Sequence, residues 1–145
     1  MDTHDKVKRV RAPRIQGAQV KPLAFILLLG LCTGAWAHWA RVASHDEADV
    51  YADRAGIVKQ GKTVKMWSLF NYRVVQRRGE VAFLSHMTRE EYDCARERQR
   101  TLFFSMYSDG MGEGRRVYSR SEPGEWAPVP GGSIVEKLWK IACGE

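Results

Sequence analysis

The sequence has little of what most catalytic classes need. Its four histidines stand at positions 4, 38, 45 and 86, and none keeps a metal-ligand spacing to another histidine or to a cysteine. No metal centre and no cofactor are therefore expected. There is no G-x-S-x-G elbow to present a serine nucleophile. The acidic groups Asp46-Glu47-Asp49 and Glu90-Glu91-Asp93 lack the apolar flanks that would raise one carboxyl for acid–base work. Gly110, Gly112 and Gly114 miss the dinucleotide spacing, and no helix pattern opens after them. Internal repeats and low-complexity tracts are absent. At 145 residues the chain has room for one core and not for a two-domain enzyme. An enzyme is not expected.

Nor does the charge point to nucleic acid. The net charge is +6, but residues 1–37 hold six Lys/Arg against two Asp. The remainder carries 17 basic and 15 acidic residues, a net of only +2. The basicity belongs to a leader and says little about the folded part. With 44% apolar and 28% charged residues, that part has an ordinary globular composition.

The leader has three parts. A basic stretch ends at Lys21, an uncharged apolar run follows from Pro22, and Ala35-Trp36-Ala37 places small residues at −3 and −1. This is the order of a secretory signal, with cleavage between Ala37 and His38. Two other readings stay open. The uncharged run over residues 22–40 is 19 residues, long enough for an anchor, although Gly30, Thr33, Gly34 and His38 weaken it. Leu29-Gly30-Leu31-Cys32 is similar to a lipobox, with Leu31 where a small residue is normally needed. The basic stretch is long, so Met1 need not be the true start. The expected destination is the periplasm, the outer membrane or the cell surface, with any membrane contact made through this segment alone.

Export changes the meaning of the cysteines. Once Cys32 leaves with the leader, Cys94 and Cys143 remain, and in an oxidising compartment they most simply form one disulfide. A nucleophilic Cys94 served by His86 is the rejected alternative, because an exposed thiol does not stay reduced there.

The pattern along the remaining chain predicts strands, then one helix. Residues 39–44, 50–52 and 57–59 read as short extended pieces, with a tight turn at Gln60-Gly61-Lys62. Residues 63–75 are rich in Val, Trp, Phe and Tyr; Val64, Met66, Phe70 and Tyr72 share one face, and Trp67 and Leu69 the other. A turn over 76–80 leads to a strand at 81–84. Residues 98–108 form a strand with Leu102, Phe104 and Met106 on one face and Thr101, Phe103, Ser105 and Tyr107 on the other. The Gly-rich 109–114 loop turns it into a strand at 115–119. Arg96, Arg98 and Arg100 share the parity of Leu102, so a bulge or break is expected between Arg96 and Thr101. Residues 122–132 hold three prolines and Trp126, and read as an irregular connection pinned by a buried indole. Ser133 with Glu136 makes a capping box, Ile134, Leu138, Ile141 and Ala142 share a side, and Gly144 suits a stop. The expected fold is α+β: a small antiparallel sheet with a C-terminal helix packed on it and tied by the disulfide.

Val64-Lys65-Met66-Trp67-Ser68-Leu69 with Tyr72, Tyr92-Asp93-Cys94-Ala95-Arg96-Glu97-Arg98, Tyr107 with Gly114, Trp126 with Pro130-Gly131-Gly132-Ser133, and residues 138–143 together resemble the surface-adhesin protein E domain of Gram-negative bacteria. The likeness covers residues 38–143. It implies the same α+β fold and a non-enzymatic binding role towards host matrix and other extracellular proteins; the basic groups Arg96, Arg98 and Arg100, Arg77-Arg78 and Arg115-Arg116 add glycans as expected partners. It also implies a domain able to pair with a second copy. The expected contacts are Trp67 and the basic groups Arg77, Arg78, Arg98 and Arg100. The rival expectation is a soluble periplasmic structural or accessory domain with an internal partner. An intact mass of the native protein checks the leader and the cysteines together. The expected chain starts at His38 and lacks two hydrogens, whereas one retaining Cys32 contradicts both.

Overall fold

The computed structural model describes residues 39–145. The expected leader, with Cys32, Ala37 and His38, lies outside the described residues. The strands are β1 (Trp39–Ser44), β2 (Ala48–Asp53), β3 (Val58–Gln60), β4 (Thr63–Arg78), β5 (Val81–Asp93), β6 (Arg98–Tyr107), β7 (Arg116–Arg120) and β8 (Ala127–Pro128). One helix, α1 (Ile134–Cys143), closes the chain. Every pairing is antiparallel. The order across the sheet is β1-β2-β4-β5-β6-β7, with β3 on the start of β4 and β8 on the start of β6.

The long central hairpin comes from the sequence's densest run of β-branched and aromatic residues. Its turn is only Gly79-Glu80, tighter than the expected 76–80 loop. Gly79 has φ +61°, the left-handed conformation that a two-residue hairpin of this hand requires. Strand β5 runs on to Asp93, well past the expected end at 84. The acid-rich half of β5 is thus strand, and its charges are dealt alternately to two faces.

The parity conflict in β6 is resolved in two steps. A single 3-10 turn over Cys94–Arg96, ending at Glu97 with φ 48°, separates β5 from β6. Leu102 is then an extra residue, since Arg89 faces Phe103 while Glu90 faces Thr101. The bulge falls just beyond the expected window. It leaves Arg98 and Arg100 on the same face as Phe103, and turns Thr101, Phe104 and Met106 to the other. Thr101 therefore lies opposite its expected face. A wider irregularity sets residues 72–75 of β4 against Leu84 alone, and Val74 and Val75 stand exposed there.

Helix α1 covers the face bearing Val50, Ala52, Val64, Met66 and Tyr92, and inserts Leu138, Trp139 and Ala142 into that core. Ser133 Oγ accepts the Glu136 backbone N–H at 3.1 Å, and Glu136 accepts the Gly132 N–H at 2.6 Å. Lys140 pairs with Glu136 at 2.9 Å, and Gly144 ends the helix at φ 81°. A ten-residue helix is marginal in isolation. What holds it is burial, about 2–3 kcal/mol for a side chain such as Leu138, and the Cys94–Cys143 disulfide. The expected connection at 122–132 differs in two respects. Ala127–Pro128 pairs with Gln99 and Arg98, and Trp126 is only partly buried.

The disulfide spans 49 residues. Loop-closure entropy for that separation is about 4 kcal/mol, a large share of a small domain's stability. Cys94→Ser is expected to lower the melting temperature by on the order of 15–30 °C. A differential-scanning melt within a few degrees of the parent would show that the helix docks without it.

Candidate binding surface

Among the described residues, the face away from α1 has no second layer. Register places Lys65, Trp67, Leu69 and Asn71 of β4 beside Glu91, Arg89, Met87 and Ser85 of β5. Arg98, Arg100, Phe103, Ser105 and Tyr107 of β6 continue the row. Two devices close its ends. At one end the Gly-rich loop folds back over Leu69, Met87 and Ser85. Gly112 donates its N–H to Ser85 Oγ at 2.9 Å, Ser85 Oγ donates to the Asp109 carbonyl at 2.6 Å, and Met111 N–H donates to Asn71 Oδ1 at 2.7 Å. A Cβ on Gly112 would come 2.8 Å from Met87 Sδ, so only glycine allows this approach.

At the other end, strand β8 brings Trp126 over β6. The Arg98 and Arg100 guanidiniums lie 4.9 and 4.7 Å from the Trp126 ring centroid. Behind the stack are two buried carboxylates. Arg100 reaches Glu91 Oε2 at 2.7 Å, and Thr63 Oγ1 donates to Glu91 Oε1 at 2.9 Å. Arg98 donates from Nε and Nη2 to Asp93 Oδ2 at 3.1 and 3.0 Å, with Arg96 at 3.5 Å. Burial alone would raise both carboxyls. The hydrogen bonds and charge of Arg100 and Thr63 at Glu91, and of Arg98 and Arg96 at Asp93, outweigh it and hold both below the usual range.

Between the two ends stands Trp67, partly buried and edge-on to Phe103 at 5.5 Å, with the Arg89 guanidinium 5.8 Å from its ring centroid. Trp67, Arg98 and Arg100 are thus brought to one face. Arg77 and Arg78 are not, since they are exposed at the tip of the β4–β5 hairpin. Arg89 was missed as a neighbour because 85–93 carries no obvious strand pattern, and Phe103, though read on a strand, because its register with Arg89 is not local.

The helix-side face carries two further titratable groups, His86 and Glu90. The His86 ring stacks on Phe70 at 4.6 Å, and its Nδ1 is 3.2 Å from the Tyr72 hydroxyl. Glu90 accepts from Thr101 at 3.0 Å through one oxygen, and burial raises its pKa. Both line a crevice of about 180 Å³ beneath Val135 and Leu138. No cluster of three or more His, Cys, Asp or Glu among the described residues is arranged to hold a metal ion. Cys94 is in the disulfide and has no thiol.

Burial pushes His86 down to about 4, from an ordinary value near 6.5. Between those values the unfolded chain takes up a proton that the folded domain refuses. Stability is therefore full above about pH 6.5 and falls as pH drops towards 4. Glu90, with its raised pKa, works in the opposite sense: its contribution is present in acid and lost as pH rises. His86→Phe is expected to remove most of the fall in melting temperature between about pH 7 and 5. A variant that melts with the parent's pH profile would contradict the assignment.

The sequence pattern of the family described as "Surface-adhesin protein E" matches residues 39–144. No curated protein matches the sequence. Among solved structures, crystal form II of Haemophilus influenzae protein E is similar with a TM-score of 0.59 at 13% identity, over 77% of this chain and 91% of that one. A second structure of Haemophilus influenzae protein E gives 0.56 at 14% identity, over 77% and 88%. Protein E from non-typeable Haemophilus influenzae gives 0.55 at 14%, over 77% and 79%. Those likenesses show the fold, and the match over residues 39–144 shows more: the chain belongs to the surface-adhesin protein E family.

Proposed function

We propose that the domain is an exported, non-enzymatic attachment module. It binds extracellular or host matrix molecules through the helix-free face of its sheet, with Trp67 at the centre of contact. The observation that carries this reading is the side-chain cluster around Trp67. An indole, a phenyl ring and a guanidinium converge at Trp67, Phe103 and Arg89 between two built ends. All three project from paired strands, so little ordering remains to be done on binding. Tryptophan and arginine are also the side chains that most often dominate binding energy. Arg98 and Arg100 lie on the same face, and their charges are already matched by Asp93 and Glu91. They act as a rim with little free charge, whereas Arg77 and Arg78 form a separate basic end.

Support for export comes from the family, whose members are described as surface adhesins, and from the disulfide, which needs an oxidising compartment. Among the described residues no helix is long and apolar enough to cross a membrane. Membrane contact, if made, falls to residues 1–37, with release by cleavage at Ala37-His38.

The test is binding of the mature protein to immobilised extracellular-matrix proteins. Trp67→Ala and Arg89→Ala are each expected to weaken it by about tenfold or more, with melting temperatures close to the parent. Undiminished binding by a folded Trp67→Ala variant would remove this face from the account.

A further inference from the structure

Four exposed arginines stand together at one end of the sheet. Arg77 and Arg78 close β4 opposite Ala82 and Val81. On the other side of β5, Arg115 and Arg116 line a groove of about 320 Å³ with Val81, Ala82 and Glu80. All four arginines are exposed. None of them has an ion-pair or side-chain hydrogen-bond partner among the described residues. Arg73, Arg96, Arg98 and Arg100 are, by contrast, each tied to a carboxylate. Glu80, Asp109 and Glu113 lie in the same two turns, so four guanidiniums stand against three carboxylates at this end.

The tip also points away from where the leader joins. Trp39 pairs with Asp53, and Ala52 pairs with Ser68, so the described chain starts near the level of Trp67. Arg78 lies eleven residues further along β4, roughly 36 Å at about 3.3 Å per residue. The irregularity at residues 72–75 sets this end apart from the paired body of the sheet.

We propose that this four-arginine end binds a sulfated glycan, a linear polyanion whose sulfates meet guanidiniums on both sides of β5. Each arginine offers a planar fork suited to a sulfate or phosphate oxygen pair. Consecutive arginines on β4 and at the start of β7 point to alternate sides of the sheet, so the site suits a flexible charged chain better than a flat protein surface. The shallow, open groove contains Val81 and Val117 but no enclosed polar pocket. Selectivity would then follow charge density over sugar identity. This inference rests on the reading that the domain meets extracellular molecules, but it uses a different surface from Trp67.

The experiment measures binding of the mature protein to an immobilised heparin-derived octasaccharide. The expected affinity falls about tenfold or more as salt rises from about 50 to about 300 mM. Arg78→Glu with Arg116→Glu is expected to weaken binding at least about tenfold. The charge-matched control, Arg41→Glu with Arg54→Glu, and Trp67→Ala should both stay within about twofold. All these positions except Trp67 are exposed, and melting curves will show that each variant folds. Equal losses in the groove and control variants would show that net charge alone is read, and would overturn the site. Equal binding of a desulfated octasaccharide would overturn the ligand class. Capture by phosphatidylglycerol vesicles without binding to the octasaccharide would assign the end to a membrane instead. Loss of matrix-protein binding in Trp67→Ala with octasaccharide binding intact would separate the two surfaces. Loss of octasaccharide binding in Trp67→Ala would merge them and overturn the separate site.

Discussion

A single ten-residue helix has to cover one face of an eight-stranded sheet, and most of the structure follows from that shortage. At about 1.5 Å per residue such a helix is only about 15 Å long. It can seal the core around Met66 and Tyr92, but not the second face and not the distal hairpin. Its own hold is weak, so the chain ties Cys143 to Cys94 at the exit from β5. That bond fixes where the helix lies and therefore which face is closed. What the helix cannot reach is dealt with locally: by the loop over Leu69, by Trp126 over two arginines, and at the hairpin tip by charge.

The bulge at Leu102 is the companion device. Without it, β6 would put Arg98 and Arg100 on the same face as Phe104 and Met106, and the core would have to admit two guanidiniums. With it, the arginines meet Glu91 and Asp93 on the open face, and Met106 is buried on the other. Pairing with buried carboxylates and stacking on Trp126 make Arg98 and Arg100 structural. A buried carboxylate left without its guanidinium is costly, which argues that this pair of contacts was settled by folding before any ligand was involved.

The terminal helix was readable in the sequence because each of its signals is local: the Ser133–Glu136 box, the apolar spacing through Leu138 and Ala142, and Gly144 as a stop. The disulfide was readable from the cysteine count, and the alternation of β4 and β6 from their aromatic and β-branched residues. The second half of β5 was not, because Glu90, Glu91 and Asp93 have partners set by register, and register is not written in any short window. The same holds for Trp126. A tryptophan among prolines suggests burial, and nothing nearby reveals two arginines beneath it. Of the expected contact residues, Trp67, Arg98 and Arg100 converge, while Arg77 and Arg78 form a different surface with Arg115 and Arg116. Arg89 and Phe103 entered only once the strands were aligned.

For attachment to occur, these uncovered surfaces have to face the outside of the cell. The β4–β5 turn tests it directly, because Gly79 is exposed and nothing lies within 4 Å of where its side chain would be. Such a turn accepts a short epitope. The measurement is antibody labelling of native cells carrying that epitope between Gly79 and Glu80, before and after permeabilisation of the outer membrane. Full labelling of intact cells is expected. Labelling that appears only after permeabilisation would contradict it, and would place the open face against a periplasmic partner.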